Sequence, residues 1–86
     1  MKLLPTKEFK KNYEKLPKDI QKRIDKQLKY LSENYRHPSL KSRKMSGYKS
    51  VYEIRVTKGY RMRFLLNGQE AHLLVVGPHD FGLGKK

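Results

Sequence analysis

Six side chains in the C-terminal part of the sequence have the types and spacing for chemistry on an anion. A carboxylate can accept a proton, and a histidine titrates near neutrality and can donate one. Guanidinium groups can hold a phosphate through paired hydrogen bonds. Together they could move protons at a phosphate and neutralise its charge, provided that the fold assembles them. They are Glu53, Arg55, Arg61, Arg63, His72 and His79.

Apolar and polar side chains alternate between residues 51 and 77, which predicts three strands with a period of two. The expected ranges are 51–57, 60–66 and 70–77. A two-residue turn after the first strand would place Ile54 opposite Arg63, whereas a three-residue loop at 57–59 pairs Ile54 with Met62. We therefore expect the longer loop, with Gly59 left-handed in a bulge.

The dipeptide Asn67-Gly68 predicts a two-residue turn between the second and third of these strands. It pairs Met62 with Leu73 on one face and Arg63 with His72 on the other. The sheet then has one apolar face, which helices should cover, and one open face. The apolar face is expected to contain Tyr52, Ile54, Val56, Tyr60, Met62, Phe64, Leu73 and Val75, and the open face Glu53, Arg55, Arg61, Arg63, Leu65, His72 and Leu74.

The open face has two interpretations. It could be an ordinary solvated sheet surface held together by pairing of Glu53 with Arg63, because antiparallel sheets often leave one face wet. It could instead be an anion site, since Arg55 is expected opposite Arg61 and stability alone would not select a like-charged pair. The second interpretation explains more of the pattern.

The N-terminal half predicts a short edge strand and two helices. Thr6 can cap the first helix, and Pro17 separates it from the second. Pro38 is expected to end the second helix, and a basic connector over 39–50 follows, which could contain a short strand. The expected fold is one α+β domain over residues 1–86, with a helix hairpin on one face of a three- to four-stranded antiparallel sheet. The apolar stripes are Phe9, Tyr13 and Leu16, then Ile20, Ile24, Leu28, Leu31 and Tyr35.

The composition is dominated by positive charge. The net charge is +13, with 21 basic and 8 acidic residues. So large a charge opposes compaction and indicates an anionic partner, such as nucleic acid, anionic lipid or an acidic protein. There is no cysteine, no signal-like N-terminus and no stretch that could cross a membrane, so we expect a cytoplasmic protein without a membrane role.

Several short motifs resemble the RelE/ParE family of toxins. They are Val51-Tyr52-Glu53-Ile54-Arg55-Val56, Gly59-Tyr60-Arg61-Met62-Arg63-Phe64, Val76-Gly77-Pro78-His79-Asp80, Leu16-Pro17, His37-Pro38-Ser39-Leu40 and Lys44-Met45-Ser46-Gly47. The likeness extends over nearly the whole chain. In the ribonuclease branch it implies a toxin that cuts mRNA in the ribosomal decoding site, through attack of a ribose 2′-hydroxyl on the neighbouring phosphate, without a metal or cofactor. It also implies an antitoxin, which the charge suggests is acidic.

The resemblance also implies residue roles. Glu53 lies at the position of a general base, and His79 at that of a general acid or phosphate ligand. Arg61 and Arg63 lie at or beside positions that hold the substrate phosphate. The catalytic tyrosine that some members carry near the C-terminus has no counterpart here. Further RNA contacts are expected from Lys41, Arg43, Lys44, Arg55, His72 and Phe81.

Two other functions stay open. A toxin of the same fold that inhibits DNA gyrase would not need the glutamate–arginine–histidine set on one surface. A plain RNA-binding module would be expected to expose aromatic rings on the open face for base stacking. Here Tyr52, Tyr60 and Phe64 are predicted to point toward the helices.

Overall fold

The computed structural model describes residues 1–78. Two helices pack on a five-stranded sheet, so the α+β class predicted from the sequence is confirmed. The sheet has one strand more than the upper expectation. In sequence order the elements are β1 (Lys2–Pro5), α1 (Lys7–Glu14), α2 (Lys18–Glu33), a 3₁₀ turn (Pro38–Leu40), β2 (Arg43–Lys44), β3 (Val51–Thr57), β4 (Tyr60–Asn67) and β5 (Glu70–Pro78).

The strands lie in the order β1-β5-β4-β3-β2. Neighbouring strands are antiparallel except β1 and β5, which pair in parallel and so depart from the expected all-antiparallel sheet. The predicted N-terminal edge strand and the short strand within the basic connector are both present. These two strands, β1 and β2, are the edge strands of the sheet, and they have only 4 and 2 residues.

Local signals explain the helices. The Thr6 hydroxyl accepts a hydrogen bond from the Phe9 N–H and caps α1, as predicted. Pro17 stands at the N-cap of α2. Tyr13 joins the two helices, because its hydroxyl donates to Asp25 Oδ1 at 2.5 Å. That bond raises the pKa of Tyr13 to about 12, because it favours the protonated phenol.

The core lies between the helices and one face of the sheet, and it confirms most of the predicted apolar face. Phe64 and Ile54 are at most 1% exposed. Tyr52 stacks on Phe64 and meets Tyr35 edge-on, so it points toward the helices as expected. The fully or nearly fully buried apolar side chains are Phe9, Ile20, Ile24, Leu31, Leu40, Ile54, Val56, Met62, Phe64, Ala71, Leu73 and Val76.

Two details of the predicted register are wrong near the turns. The β4–β5 turn is centred on Gly68 and Gln69, one residue later than expected, with a positive φ of 62° only at Gly68. This suits a type II′ turn, which needs a positive φ at one central residue instead of two. The β3–β4 turn has two residues, and the bulge lies between Arg55 and Thr57; Gly59 is not left-handed.

A bulge in β5 changes which side chains reach the core. Phe64 pairs with Leu73, but Arg63 pairs with Val75, so Leu74 is an extra residue. Beyond it Val76 is fully buried and Val75 is only half-buried, which corrects the prediction that Val75 faces the helices. A slip of one residue exchanges the two faces of a strand.

Three hydrogen bonds hold this bulge in place. The Leu73 carbonyl accepts from the Thr6 N–H, and the Leu74 carbonyl accepts from the Thr6 hydroxyl. The Val76 N–H donates to Asn12 Oδ1 at 3.1 Å. Asn12 is the buried polar side chain of α1, and it satisfies a backbone donor of β5.

Candidate active site

The central pairs of β3 and β4 place the acid and the arginines on the face opposite the helices. Glu53 pairs with Arg63, and Arg55 pairs with Arg61, as the sequence predicted. Because Ile54 and Met62 fill the core between them, alternation directs the flanking charged side chains away from it. The prediction that Arg61 and Arg63 stay outside the core is confirmed.

Glu53 is the centre of the charged cluster. Arg61 Nη1–H donates to its Oε1 at 3.1 Å, and Arg63 Nε–H donates to its Oε2 at 3.3 Å. The three side chains are only 13–25% exposed, so bulk water screens the pairs weakly. One carboxylate thus fixes the orientation of two guanidinium groups.

One N–H group of Arg61 forms no hydrogen bond to the described residues. Its Nε is shielded from solvent and has no hydrogen-bond partner among residues 1–78. This N–H group is therefore available to an acceptor that enters from outside the described residues. A phosphate oxygen would be a suitable acceptor.

A cleft of about 220 Å³ opens beside this cluster. Four cationic side chains and one carboxylate line it, which leaves an excess of three positive charges. Lys41 adopts a left-handed conformation with φ of 49°, an uncommon state for a residue with a Cβ. Arg43 reaches the same face because β2 pairs it with Glu53. The lining residues are Lys41, Arg43, Glu53, Arg55 and Arg61.

Two of the expected RNA-contacting residues lie elsewhere. His72 pairs with Leu65 instead of Arg63, because the β4–β5 turn begins one residue later than predicted. Its Nε2 lies 3.3 Å from Glu70 Oε1, without hydrogen-bond geometry. Lys44 pairs with Tyr52, so it belongs to the helix side of the sheet.

The other predicted positions divide between the cleft and the undescribed end of the chain. The structure brings together Glu53, Arg61 and Arg63 with Lys41, Arg43 and Arg55. The sequence did not indicate that Arg43 would lie opposite Glu53, although Ser46-Gly47 is a turn signal from which a 43–53 hairpin could have been inferred. His79 and Phe81 lie outside the described residues.

Comparison with solved structures identifies the family. The RelE toxin in the RelB–RelE antitoxin–toxin complex from Methanococcus jannaschii is 30% identical to this chain, with a TM-score of 0.70. The match covers 87% of this chain and 88% of that one. The chain belongs to the RelE/ParE family of toxins. No family sequence model and no curated protein sequence matches it.

Two more distant structures share the RelE/ParE fold. The intact Escherichia coli RelBE toxin–antitoxin complex gives a TM-score of 0.75 at 22% identity, covering 88% of this chain and 93% of that one. The YoeB/ParE toxin from Agrobacterium tumefaciens gives 0.79 at 18% identity, covering 92% and 99%. At these identities the likeness concerns the fold alone.

Proposed function

We propose that this RelE/ParE-family protein is an endoribonuclease that cleaves mRNA in the ribosomal decoding site. The observation that supports this most is the cluster in which Glu53 is held between Arg61 and Arg63, beside a cleft with excess positive charge. The cleft and its rim supply a proton acceptor and several cationic groups that can donate hydrogen bonds to a phosphate, all on one surface. A toxin that acts only by steric binding to gyrase would not need that combination.

The chemistry follows from these contacts. The ribose 2′-hydroxyl gives its proton to Glu53 and attacks the adjacent phosphorus, so that a 2′,3′-cyclic phosphate forms and the bond to the 5′-oxygen breaks. Arg61 and Arg63 neutralise the charge that accumulates on the phosphate oxygens. A phosphate that enters the cleft competes with Glu53 for both guanidinium groups, and this competition frees the carboxylate to accept the proton.

The leaving 5′-oxygen needs a proton, and we assign its delivery to His79. The last described residue, Pro78, pairs with Tyr60, one position beyond the pairing of Gly77 with Arg61. His79 is the next residue after Pro78. Phe81 follows as the candidate for stacking on a base.

Variants of the two proton carriers test these roles. Glu53→Gln and His79→Ala are each expected to slow single-turnover cleavage at saturating enzyme by about 10²–10⁴-fold, the usual range for a general acid or base. Lys22→Ala, on the exposed surface of α2, serves as the control and should leave that rate unchanged. Parent-like rates in both site variants would contradict the assignment.

An acidic antitoxin is the second proposed partner. The M. jannaschii and E. coli relatives were crystallised as antitoxin–toxin complexes. With a net charge of +13, this chain should bind an acidic segment that covers its basic surface. Purification of the chain together with the products of its neighbouring genes should recover such a protein; recovery of the toxin alone would count against it.

The direct test of the activity is controlled expression followed by mapping of new RNA 5′ ends, with and without ribosomes. We expect new ends within translated messages that depend on ribosomes. Absence of new ends together with inhibited DNA supercoiling would favour the gyrase function. A toxin that protects RNA without cutting it would favour the plain RNA-binding module.

A further inference from the structure

The loop between β2 and β3 carries the exposed aromatic ring of Tyr48. Tyr48 is 50% exposed and is the exposed large hydrophobic side chain of the described residues. Single exposed tyrosines are common on protein surfaces, so exposure alone does not define a site. Its position relative to the cleft supplies the second observation.

A second cleft of about 270 Å³ continues from the first. Arg43 and Glu53 line both clefts, so the two adjoin along β2, and we refer to them together as the trough. The second is completed by Lys44, Met45 and Ser46, and it therefore leads from the candidate active site to the loop that carries Tyr48. The Met45 N–H donates to the Val51 carbonyl, two residues or about 7 Å of strand from Glu53.

The loop has a defined backbone. The Tyr48 N–H donates to the Met45 carbonyl at 3.3 Å, and Gly47 has a positive φ of 84°. Ser50 is left-handed with φ of 61°, and its carbonyl accepts from the Leu66 N–H of β4. These bonds anchor both ends of the loop, so Tyr48 is presented from a fixed turn.

The charge around the loop has a single sign. Residues 34–50 include basic side chains and no acidic one. Arg36 and Lys44 form no ion pair within the described part of the chain. The positive field extends to the helix side of β2, where the Arg36 guanidinium, and more weakly Lys44, lower the pKa of Tyr35.

We propose that the trough over β2 binds the nucleotides that flank the scissile phosphate, with Tyr48 stacking on a base and Arg43 and Lys49 contacting the backbone. Single-stranded RNA suits this surface, because an aromatic platform beside a cationic groove binds bases without sequence preference. The proposal rests on the proposed RNA substrate.

The proposal predicts that Tyr48 contributes to the binding of a long oligonucleotide but not of a short one. A dinucleotide and an octanucleotide, both with a 2′-deoxy sugar at the cleavage position, can be bound by the isolated protein at low salt without being cut. Tyr48→Ala should weaken octanucleotide binding by about tenfold, within the range for one stacked base, and leave dinucleotide binding unchanged. Tyr48→Phe should bind both as the parent does, since the ring is kept.

Fluorescence locates the contact. The chain contains no tryptophan, so Tyr48→Trp introduces a single reporter. The octanucleotide should quench it and the dinucleotide should not. Lys58→Trp is the matched control, because it places a tryptophan in the exposed β3–β4 turn at the other end of β3. Its emission should not change.

The outcomes separate this proposal from the proposed function. Parent-like octanucleotide binding by Tyr48→Ala, or equal quenching of both tryptophan variants, overturns the flanking site while leaving the nuclease in place. If a poly-glutamate peptide of the same charge quenches Tyr48→Trp as strongly as the octanucleotide does, the quenching reports negative charge alone and base stacking is overturned. Failure of the parent to bind either RNA overturns the flanking site, whereas the nuclease is judged by cleavage of ribosome-bound messages.

Discussion

The two faces of the sheet carry alternate residues of the same strands, yet their side chains have opposite surroundings. On the helix side, Ile54, Met62 and Phe64 are at most 1% exposed and contact other apolar groups. On the open side, Glu53, Arg61 and Arg63 are partly exposed and contact each other through charged hydrogen bonds. One strand pair therefore stabilises the fold with one set of residues and leaves the other set for chemistry.

The comparison explains why unfavourable charge placement is tolerated on the open face. Opposing Arg55 and Arg61 costs stability, since like charges directly across a strand pair repel. The apolar face supplies the compensating burial. We therefore expect substitutions on the two faces to affect different measurements.

The largest expected effect is on stability, from the covered face. Phe64→Ala removes a ring that is 1% exposed and stacks on Tyr52, and it should lower the free energy of unfolding by about 3–5 kcal/mol. Urea denaturation measures this. A cost below about 1 kcal/mol would mean that the helix-covered face is not the main source of stability.

The matching change on the open face should affect catalysis instead. Arg61→Ala removes a guanidinium that would stabilise the transition-state charge, and it should reduce single-turnover cleavage by about 10²–10³-fold. Its midpoint of urea denaturation should fall far less than that of Phe64→Ala, because the lost bond to Glu53 is offset by relief of the repulsion from Arg55, and Arg63 still holds the carboxylate. Loss of the folded state in this variant would break the separation between the faces.

A smaller effect is expected where the covered face depends on the β5 bulge. Asn12→Ala leaves the buried Val76 N–H without its acceptor and should cost about 1–3 kcal/mol of stability. Urea denaturation of Asn12→Ala is compared with that of Asn12→Asp, which keeps an acceptor oxygen. This comparison tests the role of the hydrogen bond. Equal losses in both variants would point to packing instead.

The smallest effect concerns the helix pair alone. Because hydrogen bonding to Asp25 raises the pKa of Tyr13 from 10.0 to about 12, the unfolded chain loses the phenol proton first as pH rises. Below pH 10 the contribution is fully present, and it is lost between about pH 10 and 12. Parent stability should fall more across this range than that of Tyr13→Phe. Identical slopes would exclude the linkage.

The sequence was sufficient for the fold class, the Thr6 cap of α1 and the central register of β3 and β4, because alternation and a Thr cap are local signals, but α2 ends at Glu33, before the expected stop at Pro38. It was insufficient for β5, since the bulge at Leu74 depends on Thr6 and Asn12, which are distant in sequence. That bulge and the later turn moved Val75 and His72 from their expected partners. Lys41 and Arg43 were predicted as RNA contacts, but their place beside Glu53 depends on the β2–β3 pairing.

The central claim is that the open face cleaves RNA by using the message's own 2′-hydroxyl. The most direct measurement is cleavage by the parent protein of a ribosome-bound message that carries a single 2′-deoxy sugar at the mapped cut. We predict that cleavage at that position is abolished, whereas the all-ribose message gives a 5′ fragment ending in a cyclic phosphate. Undiminished cleavage of the 2′-deoxy message at the same bond would contradict the mechanism.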